Sequence, residues 1–297
     1  MAAAAGRPSD FAFRPLRKPE EYRHAEEIQR EALGAEAALA VPSPLLKTLQ
    51  DNGGLVLGAF ADIYLAGVTV SSIGWDGATL YHGSLVTVVR PEYQNHRVGL
   101  RLKAFQRDEV LRLGLSEVRW SFDPLHRASA SLAVRHLGAR PDAYLPHYFG
   151  QLAETARAPE ESDRLHVRWP LGAPEVERRL RGELPSAEED RRRLSAATSV
   201  LETEVGESGL RLPTAVVEPG GPSASLEVPF DLASVRAHEP SSVRRWRHAV
   251  RDAFRAAFDL GYVVDEFVVV PLDHERRCFY LLYRSSDSRG VPPAPVG

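Results

Sequence analysis

The stretch Val88 to Gly99, "VVRPEYQNHRVG", passes from a β-branched pair through a proline and a polar turn into a charged, helix-like run. A helix that starts directly after a strand points unpaired backbone N–H groups at solvent, and those amides together with the helix dipole attract phosphate. Binding of a phosphorylated ligand is the chemistry to look for here. Arg97 stands where a phosphate-cradling loop usually has glycine, whose missing Cβ lets the backbone approach the ligand closely.

Other residues carry chemistry by type. Histidine titrates near neutral pH, so His126 at the start of a helix and His82 on the strand before the turn are candidate general bases, each with a plain surface or packing role as the alternative. Asp123 in "FDPL" either orients a group in a cleft or forms the turn that Asp-Pro favours. Glu109 falls on an apolar helix face, where a carboxylate needs a partner; Arg119 and Arg135 are the expected ones. Arg164 and the run "RRWRHAVR" offer guanidinium groups, as a clamp for a carboxylate or as a solvent-facing stripe. Cys278 in "RCFYLLYR" is expected to be a buried small hydrophobe rather than a nucleophile.

The elements that must position these residues follow from periodicity. "FAFRPL" reads as a strand, "KPEEYRHAEEIQREALG" as an amphipathic helix with Tyr22, Ala25, Ile28 and Ala32 on one face, and "PSPLLKTLQDNGG" as a short helix stopped by glycine. Three alternating runs follow, "LVLGAF", "IYLAGVTVSSIG" and "TLYHGSLVTVV", an antiparallel meander with tips at Ala61-Asp62 and Trp75-Asp76-Gly77. The period then changes from 2 to about 3.6, and Val98, Leu102, Phe105 and Leu113 define the expected apolar face of a helix. "SEVRWSF" is a strand and "DPLHRASASLAVRHLG" a turn and helix. The order β-α-α-β-β-β-α-β-α gives a mixed α/β (α+β) class.

Beyond it, an acidic Ala/Pro-rich stretch near 151–163 precedes the strand "RLHVRWPL", and the "EEDRRRL" region is expected to be a solvated helix. "TSVLETEV", "LRLPTAVVEP" and "ASLEVPF" read as strands. "SSVRRWRHAVRDAFRAAFDLGY" reads as a helix with a Ser cap, and "YVVDEFVVVP" with "CFYLLYR" as a closing hairpin. The expected division is a disordered start at 1–10, a domain at 11–172, an α/β subdomain at 173–285 and a disordered tail at 286–297.

Composition sets the outer limits. The 297 residues carry a formal net charge of −3 with acids and bases mixed, so no global field gathers nucleic acid or holds the chain on an anionic membrane. One cysteine excludes a disulfide framework and a thiolate zinc site. The N-terminus lacks a basic region followed by a long apolar run, and a cytoplasmic protein is expected.

The spacing Gln94-x-x-Arg97-x-Gly99 resembles, with one change, the Q/R-x-x-G-x-G/A turn of the GNAT acyltransferases. "VRWSFDPLHRASASLAVRHLGA" resembles the W-T-F-D-P-L…N-A…N…L-G-A pattern of one N-acetyltransferase subgroup of that superfamily. "YLPHYFG", "ESDRLHVRW" and "VPFD…WRHAVRDAF…GY" are similar to its later blocks. The resemblance spans about residues 11 to 285.

What the resemblance implies is a GNAT acyl-CoA N-acyltransferase fold, whose mixed, mostly antiparallel central sheet is splayed open by the cosubstrate. Pantetheine would lie along Val88 and Val89. The pyrophosphate would meet the turn formed by Gln94, Asn95, His96, Arg97, Val98 and Gly99, with Leu100 and Arg101 beyond it. The thioester of acetyl-CoA or another acyl-CoA, succinyl-CoA included, would point between that strand and "VRWSF", where a small-molecule amine such as an amino acid attacks it directly, without a metal. Tyr148 in "HYFG" is the implied acid for the leaving thiolate, with Asp123 and His126 beside it in the expected catalytic set. Ser129 and Ala133 stand where the subgroup pattern has asparagine; Ser129 belongs to the implied cofactor-binding set. Neither nucleic acid nor a membrane is an implied partner, and a homodimer is left open. The alternative is a catalytically silent GNAT-like module that binds CoA or a protein partner.

Overall fold

A computed structural model describes residues 11–34, 39–152 and 160–284. The expected disordered start and tail lie outside the described residues. The described residues form two compact units, one within 11–120 together with 170–172, the other within 121–169 together with 173–284.

The first unit follows the expected order. It contains β1 (Phe11–Pro15), α1 (Pro19–Leu33), α2 (Ser43–Asp51), β2 (Leu55–Ala61), β3 (Tyr64–Trp75), β4 (Leu80–Val89), α3 (Val98–Arg112) and β5 (Glu117–Phe122) as far as Trp120. The strands lie in the order β1-β2-β3-β4-β5; all neighbours are antiparallel except β4 and β5, which run parallel. The sheet is therefore mixed and mostly antiparallel. Val56, Val68, Val70 and Val88 pack with Tyr22, Ala25, Ile28 and Leu46 of α1 and α2 on one face. Phe11, Ala59 and Ala66 pack with Val98 and Leu102 of α3 on the other.

Strand β4 changes its phase halfway. Val70 pairs with Val86 but Ser71 pairs with Ser84, so Leu85 is an inserted bulge residue. Because side chains alternate, the insertion turns Ser84 and His82 toward α3, the face that Ser71 also takes. Leu85 itself is exposed.

Helix α3 differs from the expected face. Its buried residues are Val98, Leu102, Lys103, Gln106 and Val110, while Leu113 is exposed. The burial stripe sits about one residue off the apolar pattern because Lys103 and Gln106 meet polar atoms on β4 instead of solvent.

The second unit contains α4 (Arg127–Ala130), which widens into a π-helical turn at Ser131–His136, then β6 (Arg140–Leu145), β7 (Gln151–Leu152), β8 (Glu160–Glu161) and β9 (Arg164–Pro170). After α5 (Pro174–Leu180) and α6 (Ala187–Ala196) come β10 (Thr198–Ser199), β11 (Leu201–Val205), β12 (Arg211–Val216) and β13 (Ser223–Val228). Then follow α7 (Leu232–His238), α8 (Pro240–Asp259), β14 (Tyr262–Leu272) and β15 (Glu275–Arg284). Strands β6 and β9 pair antiparallel, and a separate sheet has the order β10-β13-β15-β14.

Helix α8 starts at Pro240, ahead of the serines expected to cap it, because proline suits the first helical turn. Its buried side chains recur at Val243, Trp246, Val250, Phe254 and Ala257. Phe254 meets Tyr280 edge-on with ring centroids 5.1 Å apart, and Tyr280 meets Phe267 at 4.9 Å. Cys278 is buried in β15, and burial pushes its thiol up to about 12, which keeps it protonated as expected of a small hydrophobe. Among the described residues no helix is long and apolar enough to cross a membrane.

Candidate functional site

The strand-to-helix turn of the first unit runs from the end of β4 to the start of α3. Pro91–Tyr93 form a single 3-10 turn, and the Gln94 side-chain amide donates to the Val89 carbonyl at 3.1 Å, tying the turn to the end of β4. Asn95 and Arg97 both take positive φ, 65° and 58°. Left-handed residues so close together curve successive N–H groups toward a common point. The first backbone bond of α3 runs from the Arg101 N–H to the Arg97 carbonyl, so the N–H groups of Val98, Gly99 and Leu100 have no helical acceptor. Gln94, Asn95, His96 and Arg97 are exposed.

Arg97 caps α3 in the left-handed conformation that glycine adopts without penalty. It reproduces the backbone shape of a glycine turn and adds an exposed cation. Arg97→Gly is expected to raise folding stability by about 0.5–1 kcal/mol through relief of that strain, while a β-branched Arg97→Val lowers it. Urea midpoints of the two variants, moving in opposite directions from wild type, check this. Arg101 lies away from the turn. Its guanidinium sits 4.6 Å over the Phe13 ring, so it packs on β1 instead of facing a ligand.

Beside the turn, β4 leaves its parallel neighbour. The pairing with β5 consists of His82 with Val118 and Gly83 with Arg119. From Ser84 onward β4 has no strand partner on that side among the described residues. The Arg90 N–H bonds the Ala66 carbonyl, which phases the β3–β4 ladder. Val86 and Val88 therefore turn their main-chain groups to β3, and Thr87 and Val89 turn theirs to the unpaired side. Val88 is thus the packing member of the pair and Val89 the one with outward main-chain groups.

A buried polar strip lies on the α3 face next to this fork. Thr69 and Thr87 share a hydroxyl contact of 2.7 Å. His82 Nδ1 lies 3.0 Å from Ser71 Oγ, and burial pushes the His82 pKa down against an opposing pull from the Gly53 main chain. Lys103 Nζ donates to Ser84 Oγ at 3.0 Å and to Gln106 Oε1 at 2.7 Å, and sits 4.2 Å over the Trp120 ring. It is 2 % exposed, and burial pushes its pKa down to about 7. Sequence reasoning missed Lys103. No pattern in the sequence marks it, because its burial depends on the polar atoms that β4 presents to α3.

The remaining sequence candidates lie in the second unit. Asp123 accepts a two-pronged bond from Arg247, 2.8 Å at each oxygen, and also the Leu125 N–H at 2.9 Å. Burial raises the Asp123 pKa, but Arg247 more than offsets this and holds the carboxyl below its usual value. Both oxygens are occupied, so Asp123 anchors α8 and is not free to orient a reacting group. His126 precedes α4 and its Nδ1 lies 2.8 Å from Ser129 Oγ, a local side-chain contact at the surface. Tyr148 is half exposed, with its ring 4.7 Å from that of Phe149.

Arg164, Arg247 and Arg251 are partnered, whereas Arg244 and Arg245 are exposed. Arg251 bonds Asp163 and Glu161, and Arg164 is buried with its guanidinium 5.1 Å over Phe149 and a bond to the Asp163 carbonyl. The "RRWRHAVR" helix is therefore neither a bare solvent stripe nor a vacant clamp: Arg247 and Arg251 hold carboxylates of their own unit. Glu109 pairs with Arg112 one turn on, in place of Arg119 or Arg135. Arg119 pairs with Glu117 and Asp76, and Arg135 with Asp190.

The sequence matches no protein-family model and no curated protein sequence. Solved structures similar to the chain include the ribosomal-protein-S18-alanine N-acetyltransferase from Escherichia coli, at 16 % identity and a TM-score of 0.45 over 55 % of this chain and 96 % of that one. An acetyltransferase of the GNAT family from Streptococcus pneumoniae is similar at 14 % identity and a TM-score of 0.43, over 54 % and 98 % of the two chains. An N-acetyltransferase from Staphylococcus aureus Mu50 is similar at 14 % identity and a TM-score of 0.44, over 55 % and 99 %.

Proposed function

We propose that the protein is an acyl-CoA-dependent N-acyltransferase that moves an acetyl or succinyl group to the amine of a small molecule such as an amino acid. One observation carries the reading. The unpaired side of β4 leads straight into a turn with two left-handed residues, Asn95 and Arg97, followed by the N–H groups of Val98, Gly99 and Leu100, which have no helical acceptor. The outward main-chain groups of Thr87 and the Val89 N–H suit the amides of a pantetheine arm, and the N–H groups of Val98 to Leu100 suit the pyrophosphate at its end. The sequence resemblance of Gln94-x-x-Arg97-x-Gly99 supports the same ligand.

In this reading residues 11–172 carry acyl transfer. The amine attacks the thioester carbonyl directly, so the protein must hold both reactants close and remove a proton from the ammonium.

Acetyl-CoA and succinyl-CoA are expected to raise the melting temperature, because a ligand that binds only the folded state adds about 2.7 kcal/mol at a hundred times its Kd. For proteins of 150–250 residues a kilocalorie per mole shifts the melting temperature by roughly 2–4 °C, and a longer chain shifts by less. Absence of a shift with every acyl-CoA overturns the reading. A shift without thiol release across a panel of amines points instead to a silent CoA-binding module.

A further inference from the structure

We propose that Lys103, acting through the Ser84 hydroxyl, accepts the proton that the acceptor ammonium must lose before it attacks the thioester. The inference rests on the acyl-transfer reading above and assigns that reading's missing base. Its ground is the placement of one amine at the fork. Ser84 is the first β4 residue beyond the last pair with β5, and Trp120 follows Arg119, the β5 member of that pair. Lys103 Nζ reaches both, at 3.0 Å to Ser84 Oγ and 4.2 Å to the Trp120 ring, so it sits where the two strands part.

The choice of lysine is informative in this chain. Lys18, Lys47 and Lys103 are its three lysines among 37 basic residues. A guanidinium stays charged at every accessible pH, whereas an amine in a buried setting can lose its proton. The neutral form is the one burial favours here, and a neutral amine beside a hydroxyl is a proton acceptor. The other titratable and charged groups on the packed elements are differently engaged. His82 on β4 bonds Ser71; on α3, Arg107 bonds the Leu171 carbonyl and pairs with Asp108, and Arg101 stacks on Phe13. β3 presents Thr69 and Ser71, and β5 the Trp120 ring.

The step balances without a co-reactant. The acceptor ammonium gives a proton to Ser84 Oγ as that hydroxyl passes its own to Lys103 Nζ. The freed lone pair forms the new C–N bond, the C–S bond breaks with its electrons going to sulfur, and the second proton of the attacking nitrogen goes to the thiolate. Lys103 then returns its proton to solvent.

The test is the pH dependence of kcat/KM for thiol release from acetyl-CoA, with an acceptor amine that itself titrates above about pH 9, in wild type, Lys103→Met and Ser84→Ala. Wild type is expected to show an acid limb near pH 7. Both variants are expected to lose that limb and about 100-fold or more in kcat, with Kd for CoA within about threefold of wild type. An unchanged acid limb with kcat within about threefold in Ser84→Ala or Lys103→Met overturns the inference alone. No thiol release by wild type overturns the acyl-transfer reading and the inference together. Carbon-13 labelling at lysine Cε gives three signals, and titration of the Lys103 signal above about pH 9 in wild type also overturns the inference, whatever the fate of the variants.

Discussion

Asp123→Ala is expected to lower folding stability by about 3–5 kcal/mol, because it strands the Arg247 guanidinium in the interior without its counter-charge. Arg247 is buried on α8, and both of its terminal nitrogens bond Asp123 at 2.8 Å. Removing one partner of such a pair leaves the other desolvated and unpaired, which costs more than the pair contributes when intact. Urea unfolding followed by tryptophan fluorescence reads the loss directly. The double variant Asp123→Ala with Arg247→Met should be less destabilised than the sum of the single changes, since it removes the stranded charge. If Asp123→Ala costs less than about 1 kcal/mol, the pair is not an anchor. The pH sign follows from the lowered folded-state pKa of Asp123. Its contribution is present above the unfolded carboxylate range and fades as pH falls through the folded value.

Lys103→Met is expected to flatten the pH dependence of stability between about pH 7.5 and 9. Folded Lys103 titrates at about 7, whereas an unfolded lysine titrates near about 10.4. Between those values the unfolded chain binds the extra proton, so stability rises with pH, by up to about 1.4 kcal/mol per unit from this group. Below about pH 7 both states are protonated and the full cost of burying the charge is present. The chosen window lies above the titration of His82, whose lowered pKa gives a similar slope only at lower pH. Comparing slopes also cancels the lost contacts to Ser84 and Gln106, which shift stability equally at every pH. Parallel wild-type and variant curves would mean that Lys103 stays charged where it sits.

The element order of the first unit was legible because the hydrophobic period changes from 2 to 3.6 at Val98 and glycine marks the ends. The turn was legible for a related reason: proline and polar residues between two strong periodic runs leave few other conformations. What escaped the sequence depends on pairing. A bulge such as Leu85 adds one residue to a strand and leaves no mark in composition, so the face taken by Ser84 and His82 could not be phased. Lys103 and Gln106 fall outside the expected apolar face of α3, and only the polar strip on β4 explains their burial. Asp123 and Arg247 lie 124 residues apart, so neither end announces the other. A charged residue in a basic run looks free until the fold supplies its partner.

The bulge in β4 has one further consequence. A strand with strict alternation would put Ser84 on the same face as Val86 and Val88. Inserting Leu85 lets a single strand change allegiance midway: its later half supplies Val86 and Val88 to the apolar core, and its earlier half lends Ser84 to the amine of Lys103. Position 85 is therefore insensitive to which side chain it carries, since that side chain is exposed, but it is intolerant of any change in the number of residues. Its information lies in counting.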